Sequence, residues 1–289
     1  MTPHNALRRH AVFVSAGDHH RLHKDPRRTR NFDLVIAWYG SDEEVARQLR
    51  SMADAFFEIK GGKFENLRSL WVQRKISLES YESVFVADDD VDLSPEKIEL
   101  LFRRREVFDA WILTPAHLHT GRVSYRTLAY RPHWSHHFTN FIEECTPVFE
   151  TAALVRFLRE FDGSVAGWGV DHWYMNVLGP DEPNRFVVDH SVRFFNPKSR
   201  AGGRREIELI GNMRDLRSKW ICIRDDRGLR DVKPTIHTWV RASPWVAVRR
   251  TVTYFGCVTA HTIGSPHKVS AFARRVRRRI GRRLGTLLR

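Results

Sequence analysis

The sequence predicts an α/β protein whose mixed, mostly parallel sheet is covered by helices. Short runs of apolar, β-favouring residues alternate with stretches that carry helical signals throughout the first 113 residues. One of these runs, Val84–Ala87, stops abruptly in three aspartates, and Ser94–Pro95 then have the sequence of a helix start. Short links between such units favour parallel pairing, because each helix returns the chain to the same end of the sheet.

The N-terminal strands are indicated by segments such as HAVFVSA and FDLVIAWY, which are rich in β-branched and aromatic residues. Turn and capping residues separate them from the helices, as Gly40, Ser41 and Asp42 do. The predicted strands are 10–16, 32–39, 55–59, 84–87 and 109–113, and the predicted helices are about 43–53, 65–77 and 95–105. The N-terminal half has neither a GxGxxG motif nor a Walker A loop, so a nucleotide would have to be bound by a different kind of loop.

The next segments complete the predicted main domain. Residues 138–149 are predicted to form a strand or edge segment that leads to a turn at Pro147. A helix over 150–161 follows, because apolar side chains recur there at helical spacing. We interpret 1–200 as a main domain of Rossmann-like type, 201–265 as an extension packed on it, and 266–289 as a basic amphipathic tail.

Much of the positive charge is local. The formal net charge is +14, but residues 268–289 hold nine Lys and Arg and no acid, which leaves only +5 for the rest of the chain. Apolar residues of the tail recur every three or four positions from Phe272 to Leu288. A basic amphipathic helix suits an anionic membrane surface, while nucleic-acid binding and a solvated tail stay open for this segment.

Cysteine usage and hydropathy bear on location. Cys145, Cys222 and Cys257 are widely spaced and odd in number, which favours a reducing compartment and offers no zinc motif. No apolar run is long enough to span a bilayer, and the N-terminus lacks the apolar segment of a signal peptide. We therefore expect a cytoplasmic protein, peripheral at the inner face of the cell membrane.

The aspartate triplet is the first candidate site. Carboxylates at the carboxyl end of a strand lie at the edge of an open α/β sheet where ligands bind. Three adjacent carboxylates repel one another unless a cation or hydrogen-bond donors neutralise them. Asp88 and Asp90 are spaced to share one divalent cation together with substrate phosphates. A solvated acidic loop that caps the next helix is the competing interpretation.

Two glycine-containing stretches are the other candidates. Gly61, Gly62 and Lys63 could approach a phosphate, although a flexible turn with a solvated lysine is the simpler interpretation of this stretch taken alone. The stretch SVAGWGVDHWYM places Trp168 between Gly167 and Gly169, and Asp171 follows in the first turn of a short helix. Partial burial beside aromatic residues would raise the pKa of Asp171 and make it a better base, while the competing interpretation is a helix cap.

Taken together, these stretches resemble glycosyltransferases of the GT-A fold. Within that group, the chain is most similar to the domain-of-unknown-function 707 family of plants and bacteria. The matching stretches come in the family's order over about residues 11–197: GGKFENL, FVADDDVDLS, EECTPVFE, GWGVDHW and FVVDHSV.

The resemblance implies a metal-dependent transferase that moves a sugar from a nucleotide-sugar donor to a hydroxyl of a saccharide or lipid-linked acceptor. It implies that Asp88 and Asp90 hold Mn²⁺ or Mg²⁺ and that Asp171 is the general base. It assigns substrate contacts to five residues: Lys63, Asp89, Gly167, Trp168 and Gly169. An anionic membrane is an expected partner through the tail, and nucleic acid is not.

One position departs from the family. Members place a histidine about six residues after the aspartate that matches Asp189, where GT-A enzymes often use it as a further metal ligand, and this chain has Phe195 there. His190 is the remaining candidate for that ligand, although neighbouring residues of a strand point to opposite faces. Phe195 keeps open a non-catalytic sugar-binding or polyanion-binding protein with this fold. A haloacid-dehalogenase-like phosphatase is the other alternative, because such enzymes also have a strand followed by DxD, although usually in an early strand and here in about the fourth.

Overall fold

The computed structural model of the protein describes residues 8–22, 30–197 and 213–251, and Thr253. These residues contain nine strands: β1 His10–Ala16, β2 Phe32–Trp38, β3 Ala55–Glu58, β4 Ser83–Ala87, β5 Ile112–His117, β6 Trp134–Thr139, β7 Val148–Glu150, β8 Phe186–Phe194 and β9 Ile236–Arg241. They contain these longer helices: α1 Glu43–Met52, α2 Lys63–Val72, α3 Pro95–Val107, α4 Thr151–Glu160, α5 Val170–Leu178 and α6 Met213–Asp226. None of the described helices is long and apolar enough to cross a bilayer.

All nine strands join one sheet in the order β3-β2-β1-β4-β7-β5-β8-β6-β9. The first four of these are parallel neighbours, and β5 is parallel to β8. The strand β7 runs antiparallel between β4 and β5, and β6 is antiparallel to both β8 and β9. The predicted mixed α/β class is confirmed, and the parallel half brings the carboxyl ends of β1 to β4 to one edge.

The sheet separates two apolar cores. Side chains of β4 alternate between them, since Val84 and Val86 belong to one core and Phe85 and Ala87 to the other. The first core is covered by α2, α4 and α5, and the second by α1 and α3, as their buried residues show. Burial on both faces explains why β1, β2 and β4 read as continuous apolar runs rather than as alternating patterns.

Two predicted elements differ from the observed ones. The single strand predicted over 138–149 is wrong: β6 and β7 occupy its ends, and an irregular segment joins them. The strand predicted at 109–113 begins only at Ile112, because α3 continues to Val107 and Asp109 has a positive φ of 48°. A left-handed residue there ends the helix and turns the chain before the strand can start.

The residues after 212 continue the same architecture. Strand β9 extends the sheet by pairing with β6, and Trp220 of α6 is buried in the first core. The division into a main domain and an extension stays a prediction. The tail predicted over 266–289 lies outside the described residues.

Candidate active site

A buried lysine meets the first aspartate of the triplet. Lys63 opens α2 directly after β3, and its Nζ lies 2.5 Å from Asp88 Oδ1 and 2.5 Å from the carbonyl oxygen of Glu144. The Lys63 side chain is 9% exposed and that of Asp88 is 37% exposed. Burial alone would lower the pKa of Lys63, but the neighbouring carboxylates of Asp88 and Glu144 raise it above its ordinary value. The ammonium group of Lys63 is therefore positively charged where it contacts the aspartate triplet at the end of β4.

Asp89 is held by the protein itself. Its buried carboxylate accepts hydrogen bonds from the backbone N–H of Gly17, at 2.9 Å, and from the hydroxyl of Tyr39, at 2.8 Å. Burial raises its pKa, while both hydrogen bonds act in the opposite direction. The side chain ties the loop after β4 to the ends of β1 and β2, so its observed contacts are structural.

Asp90, the third aspartate of the triplet, is partly buried. It accepts no hydrogen bond from the residues that the structure describes. Burial, followed by repulsion from Asp88 and Asp89, raises its pKa to about 7. A carboxylate that is costly to ionise without a partner is one that a cation would stabilise. Within the described ranges, however, no three metal-ligating side chains form a ready site, so ligands for a metal would also have to come from a substrate.

Asp171 lies at the start of α5. Gly169 caps this helix with φ 98°, a left-handed conformation, and a Cβ there would come within 2.4 Å of the Trp220 ring. Asp171 itself is buried, and its Oδ1 accepts a hydrogen bond from the N–H of His172 at 2.9 Å. Burial, and then the Glu143 carboxylate, raise the pKa of Asp171 to about 7. The predicted short helix and the predicted rise in pKa both agree with this placement.

The sequence-based prediction missed Glu143 and Glu144. They lie in the irregular segment before β7, which β4 fixes in place because Asp88 N–H donates to the carbonyl of Cys145 at 3.1 Å. Burial raises the pKa of both glutamates, and the charges of Asp88 and Asp171 both act on Glu144. Two adjacent acids before a strand were the available signal. The site thus gathers five carboxyl groups, those of Asp88, Asp90, Glu143, Glu144 and Asp171. The cations that act on them are Lys63, Arg21 and Arg122.

The two glycine-containing loops touch each other. A Cβ at Gly62 would lie 2.9 Å from the Cβ of Ala166, so the loop before α2 packs directly on the loop before α5. Gly167 has φ 75°, and Trp168 beside it is half-buried with the Arg217 guanidinium 5.7 Å from its ring centre. The contact holds Lys63 and the GWG stretch on the same side of the molecule.

His190 does not join the acidic cluster. Its Nδ1 accepts the backbone N–H of Arg131 at 3.1 Å, and its Nε2 lies 3.0 Å from Nδ1 of His137. Burial, followed by the neighbouring His137, lowers the pKa of His190 far below its usual value. Both ring nitrogens are already engaged, which corrects the expectation of a metal ligand. Phe195 is followed by Asn196, whose Nδ2 lies 3.9 Å from the sulfur of Cys145. Cys145 belongs to the same irregular segment as Glu143 and Glu144.

Comparisons with known proteins bear on the fold. No family model and no curated protein matches this sequence. Among solved structures, the chain is similar to S. aureus TarS 1–349 in complex with UDP-GlcNAc, with a TM-score of 0.53 and 11% identity over 87% of this chain and 73% of that one.

Two further solved structures are similar. One is glucosyl-3-phosphoglycerate synthase from Mycobacterium tuberculosis in complex with Mg²⁺ and UDP, with a TM-score of 0.42 and 18% identity over 81% of this chain and 88% of that one. The other is mannosyl-3-phosphoglycerate synthase from Rubrobacter xylanophilus, with a TM-score of 0.45 and 12% identity over 83% and 88%. The TarS likeness, at a higher TM-score than these two, shows that this chain has the GT-A type of fold.

Proposed function

We propose that this protein is a glycosyltransferase that moves a sugar from a nucleotide-sugar donor to an acceptor hydroxyl. The observation that carries the proposal is the acidic cluster around Asp88 and Asp90, at the carboxyl edge of the parallel strands in a GT-A fold. The similar TarS structure contains UDP-GlcNAc, which supports a nucleotide sugar as the donor here. A saccharide or a lipid-linked saccharide is the proposed acceptor.

The residues present fit a divalent cation that is completed by the donor. Asp88 and Asp90 would hold Mn²⁺ or Mg²⁺, and two carboxylates with substrate phosphates are a common way to bind Mg²⁺. The pKa of Asp90 is raised to about 7 by burial and by Asp88 and Asp89, although Lys63 and Arg21 act in the opposite direction, so a cation near Asp90 would favour its ionised form. When bound, the metal would offset the charge that develops on the departing diphosphate.

Lys63 has two proposed roles. Its contact with Asp88 fixes the direction of that carboxylate, which a metal ligand needs. Its buried charge also lowers the energy of ionising Asp90 and Asp171, whose pKa values it pulls downwards. The position of Lys63 at the N-terminus of α2 adds the positive end of the helix dipole on the side proposed for the diphosphate.

Asp171 is the proposed general base. A carboxyl group with a pKa of about 7 is largely ionised above neutrality and holds a proton more strongly than an ordinary aspartate, so it can take one from an acceptor hydroxyl. The loop of Gly167, Trp168 and Gly169 would shape the acceptor side, since it leads directly into α5. This assignment belongs to a direct displacement with inversion at the sugar carbon.

The test is turnover of UDP-, GDP- and CMP-sugars, with and without Mn²⁺. A transferase releases the nucleoside diphosphate, or the monophosphate from CMP-sugars, and accelerates with metal. A phosphatase would instead cleave a phosphomonoester. Asp90→Asn should abolish metal-dependent donor binding, whereas the matched control Asp92→Asn, exposed in the same loop, should retain it. Donor binding that is the same in both variants would refute the proposed metal site.

A non-catalytic binding protein of the same fold is the second candidate. Phe195 at the place of the family histidine, and the engaged nitrogens of His190, favour it because both leave the cation with fewer protein ligands. Such a protein would be stabilised by a nucleotide sugar in a thermal-shift assay but would not turn it over.

A further inference from the structure

Three arginines from separate parts of the chain meet at one group of aromatic rings beside β6. The Arg131 guanidinium lies 4.7 Å from the centre of the Trp134 ring, and Nη1 of Arg250 donates a hydrogen bond to the carbonyl oxygen of Trp134 at 2.8 Å. The Arg193 guanidinium lies 5.5 Å from the centre of the Tyr130 ring. We call these three arginines the arginine cluster. Arg131 is exposed, and the other two are half-buried.

The rings between the arginines pack against one another. His190 lies among them, with its ring centre 5.9 Å from that of Tyr130 and 5.7 Å from that of Trp134. The backbone N–H of Arg131 donates to Nδ1 of His190 at 3.1 Å. After burial and the neighbouring imidazole, the charges of Arg250 and Arg131 also lower the pKa of His190, because both cations lie near the same ring. Contacts in space, and not sequence, therefore bring the arginine cluster together.

The positive charge of the arginine cluster is not neutralised by the residues that the structure describes. The neighbouring carboxylate of Asp189 is buried and is already paired with Arg104, at 3.1 Å. No carboxylate in the described ranges forms an ion pair with any of the three clustered guanidinium groups. Burial lowers the pKa of Arg250, although Tyr130 and Asp189 act in the opposite direction. The charges of Arg104 and Arg193 lower it further, and a bound anion would offset this repulsion.

The arginine cluster lies at the same edge of the sheet as the acidic site. Arg193 is close to the carboxyl end of β8, which runs parallel to β5. The N–H of Tyr130 donates at 2.8 Å to the carbonyl oxygen of His117, the last residue of β5. Nδ1 of His117 in turn lies 3.7 Å from Oε2 of Glu143, whose charge acts on Asp171. Tyr130, His117 and Glu143 thus connect the arginine cluster to the proposed general base.

The arginine cluster is too far from the aspartate triplet to bind the same phosphates. In the order of the sheet, β7 and β5 separate β4 from β8. At about 4.8 Å between neighbouring strands, the ends of β4 and β8 are about 14 Å apart. A diphosphate held at Asp88 and Asp90 does not reach across two intervening strands. An anion at the arginine cluster would therefore be a different group from the donor diphosphate.

We propose that the arginine cluster binds a phosphate group, and that this phosphate is carried by the sugar acceptor. Arginine suits phosphate because its planar guanidinium can donate two hydrogen bonds to one oxyanion. The contacts with Trp134 and Tyr130 hold two of the three guanidinium groups in place before a ligand binds. The assignment to the acceptor rests on the proposed function, whereas the phosphate site does not.

The first experiment is isothermal titration calorimetry of the full chain with inorganic phosphate, in metal-free buffer of low ionic strength. We expect binding that weakens as salt rises. Arg131→Gln and Arg193→Gln should each weaken it about tenfold, because each removes charge-assisted hydrogen-bond donors. Arg193→Lys should bind better than Arg193→Gln, since it keeps the charge but loses the planar fork. The matched control Arg103→Gln removes an exposed arginine of α3 and should bind like the wild type.

The second experiment asks what carries the phosphate. Thermal shifts of the full chain are compared for inorganic phosphate and for a panel of monosaccharides with their monophosphates. A sugar phosphate should stabilise the wild type more than inorganic phosphate or the unphosphorylated sugar does, because its sugar would add contacts near Asp171. Arg131→Gln should abolish the advantage of the sugar phosphate over the sugar. Equal shifts for inorganic phosphate and all of the sugar phosphates would overturn the assignment to the acceptor.

Donor binding separates this inference from the proposed function. With Mn²⁺, Arg131→Gln should bind a nucleoside diphosphate like the wild type, and without metal Asp90→Asn should bind inorganic phosphate like the wild type. Failure of the metal site would leave the second result unchanged. Equal phosphate binding by the wild type and Arg131→Gln, whose exposed position makes loss of the fold a minor concern, would overturn the phosphate site. Loss of metal-free phosphate binding in Asp90→Asn would overturn it as well.

Discussion

Asp171→Asn should make the protein less active and, above neutral pH, more stable. The substitution removes a buried carboxylate that Glu143 repels, and an asparagine oxygen can still accept the hydrogen bond from the N–H of His172. A purely structural helix cap would behave differently, because its removal would cost stability at every pH. The two outcomes therefore have opposite signs.

The magnitude follows from the pKa of about 7 for Asp171, against 3.8 for an ordinary aspartate. At pH 6 the unfolded chain has released a proton that the folded chain still holds, so stability falls as pH rises from about 4 to about 7 and stays lower above that. At 1.36 kcal/mol for each factor of ten, ionising the folded group costs up to about 4 kcal/mol. Replacement by neutral asparagine recovers part of this cost, which predicts a rise in Tm of about 5 °C at pH 8 and almost none at pH 4.

The activity of the same variant should fall about 10²–10⁴-fold, with donor affinity changed less than about twofold, because a base acts only on the acceptor. In the wild type, kcat/KM should rise with pH through about 7 as Asp171 loses its proton. The assays are differential scanning calorimetry at both pH values and initial rates with a soluble acceptor. The control is Glu43→Gln, an exposed first-turn carboxylate of α1, which should cost a few tenths of a kcal/mol. A lower Tm for Asp171→Asn at pH 8 would refute the reasoning.

Further variants test the other features. Asp88→Asn and Asp90→Asn should each abolish stabilisation by a nucleoside diphosphate with Mn²⁺ while retaining the fold, and unchanged thermal shifts in both would rule out a metal there. Lys63→Met should cost about 2 kcal/mol in urea unfolding, because it leaves the acidic cluster without its buried cation; no loss would mean that this charge is neutralised in another way. Gly169→Ala should cost about 3 kcal/mol, since it adds left-handed strain and a Cβ 2.4 Å from a ring carbon, whereas Gly228→Ala, with φ 64° and open space, should cost only about 1 kcal/mol.

The parts of the site that could be predicted are those fixed by local sequence. Four apolar residues followed by aspartates define the end of β4, and a glycine before a short apolar helix defines the start of α5. Lys63 could be placed near the same edge because β3 is parallel to β2 and its carboxyl end lies with the others. Each of these inferences needs only a strand direction and a short-range pattern.

The parts that could not be predicted depend on long-range pairing. Glu144 contacts Lys63, and Glu143 acts on Asp171, in a segment that is fixed by β7, which inserts antiparallel between β4 and β5. A three-residue strand leaves almost no signal in the sequence. His190 was misassigned for a related reason: Arg131 and His137 of β6 engage its two ring nitrogens, and the sequence around His190 does not reveal either contact. Asp189 beside it is likewise taken up by Arg104, at 3.1 Å.

The contact between Trp220 and Gly169 limits where the chain can be truncated without loss of the fold. The ring of Trp220 stacks on His172, and the N–H of Val232 donates to His172 Nδ1 at 3.0 Å, so residues after 212 complete the surroundings of α5. A chain ended at residue 200 would expose the apolar floor of the first core and leave that imidazole nitrogen without its donor. We expect such a truncation to give an insoluble or molten product, and we expect limited proteolysis to release no stable fragment that ends before α6.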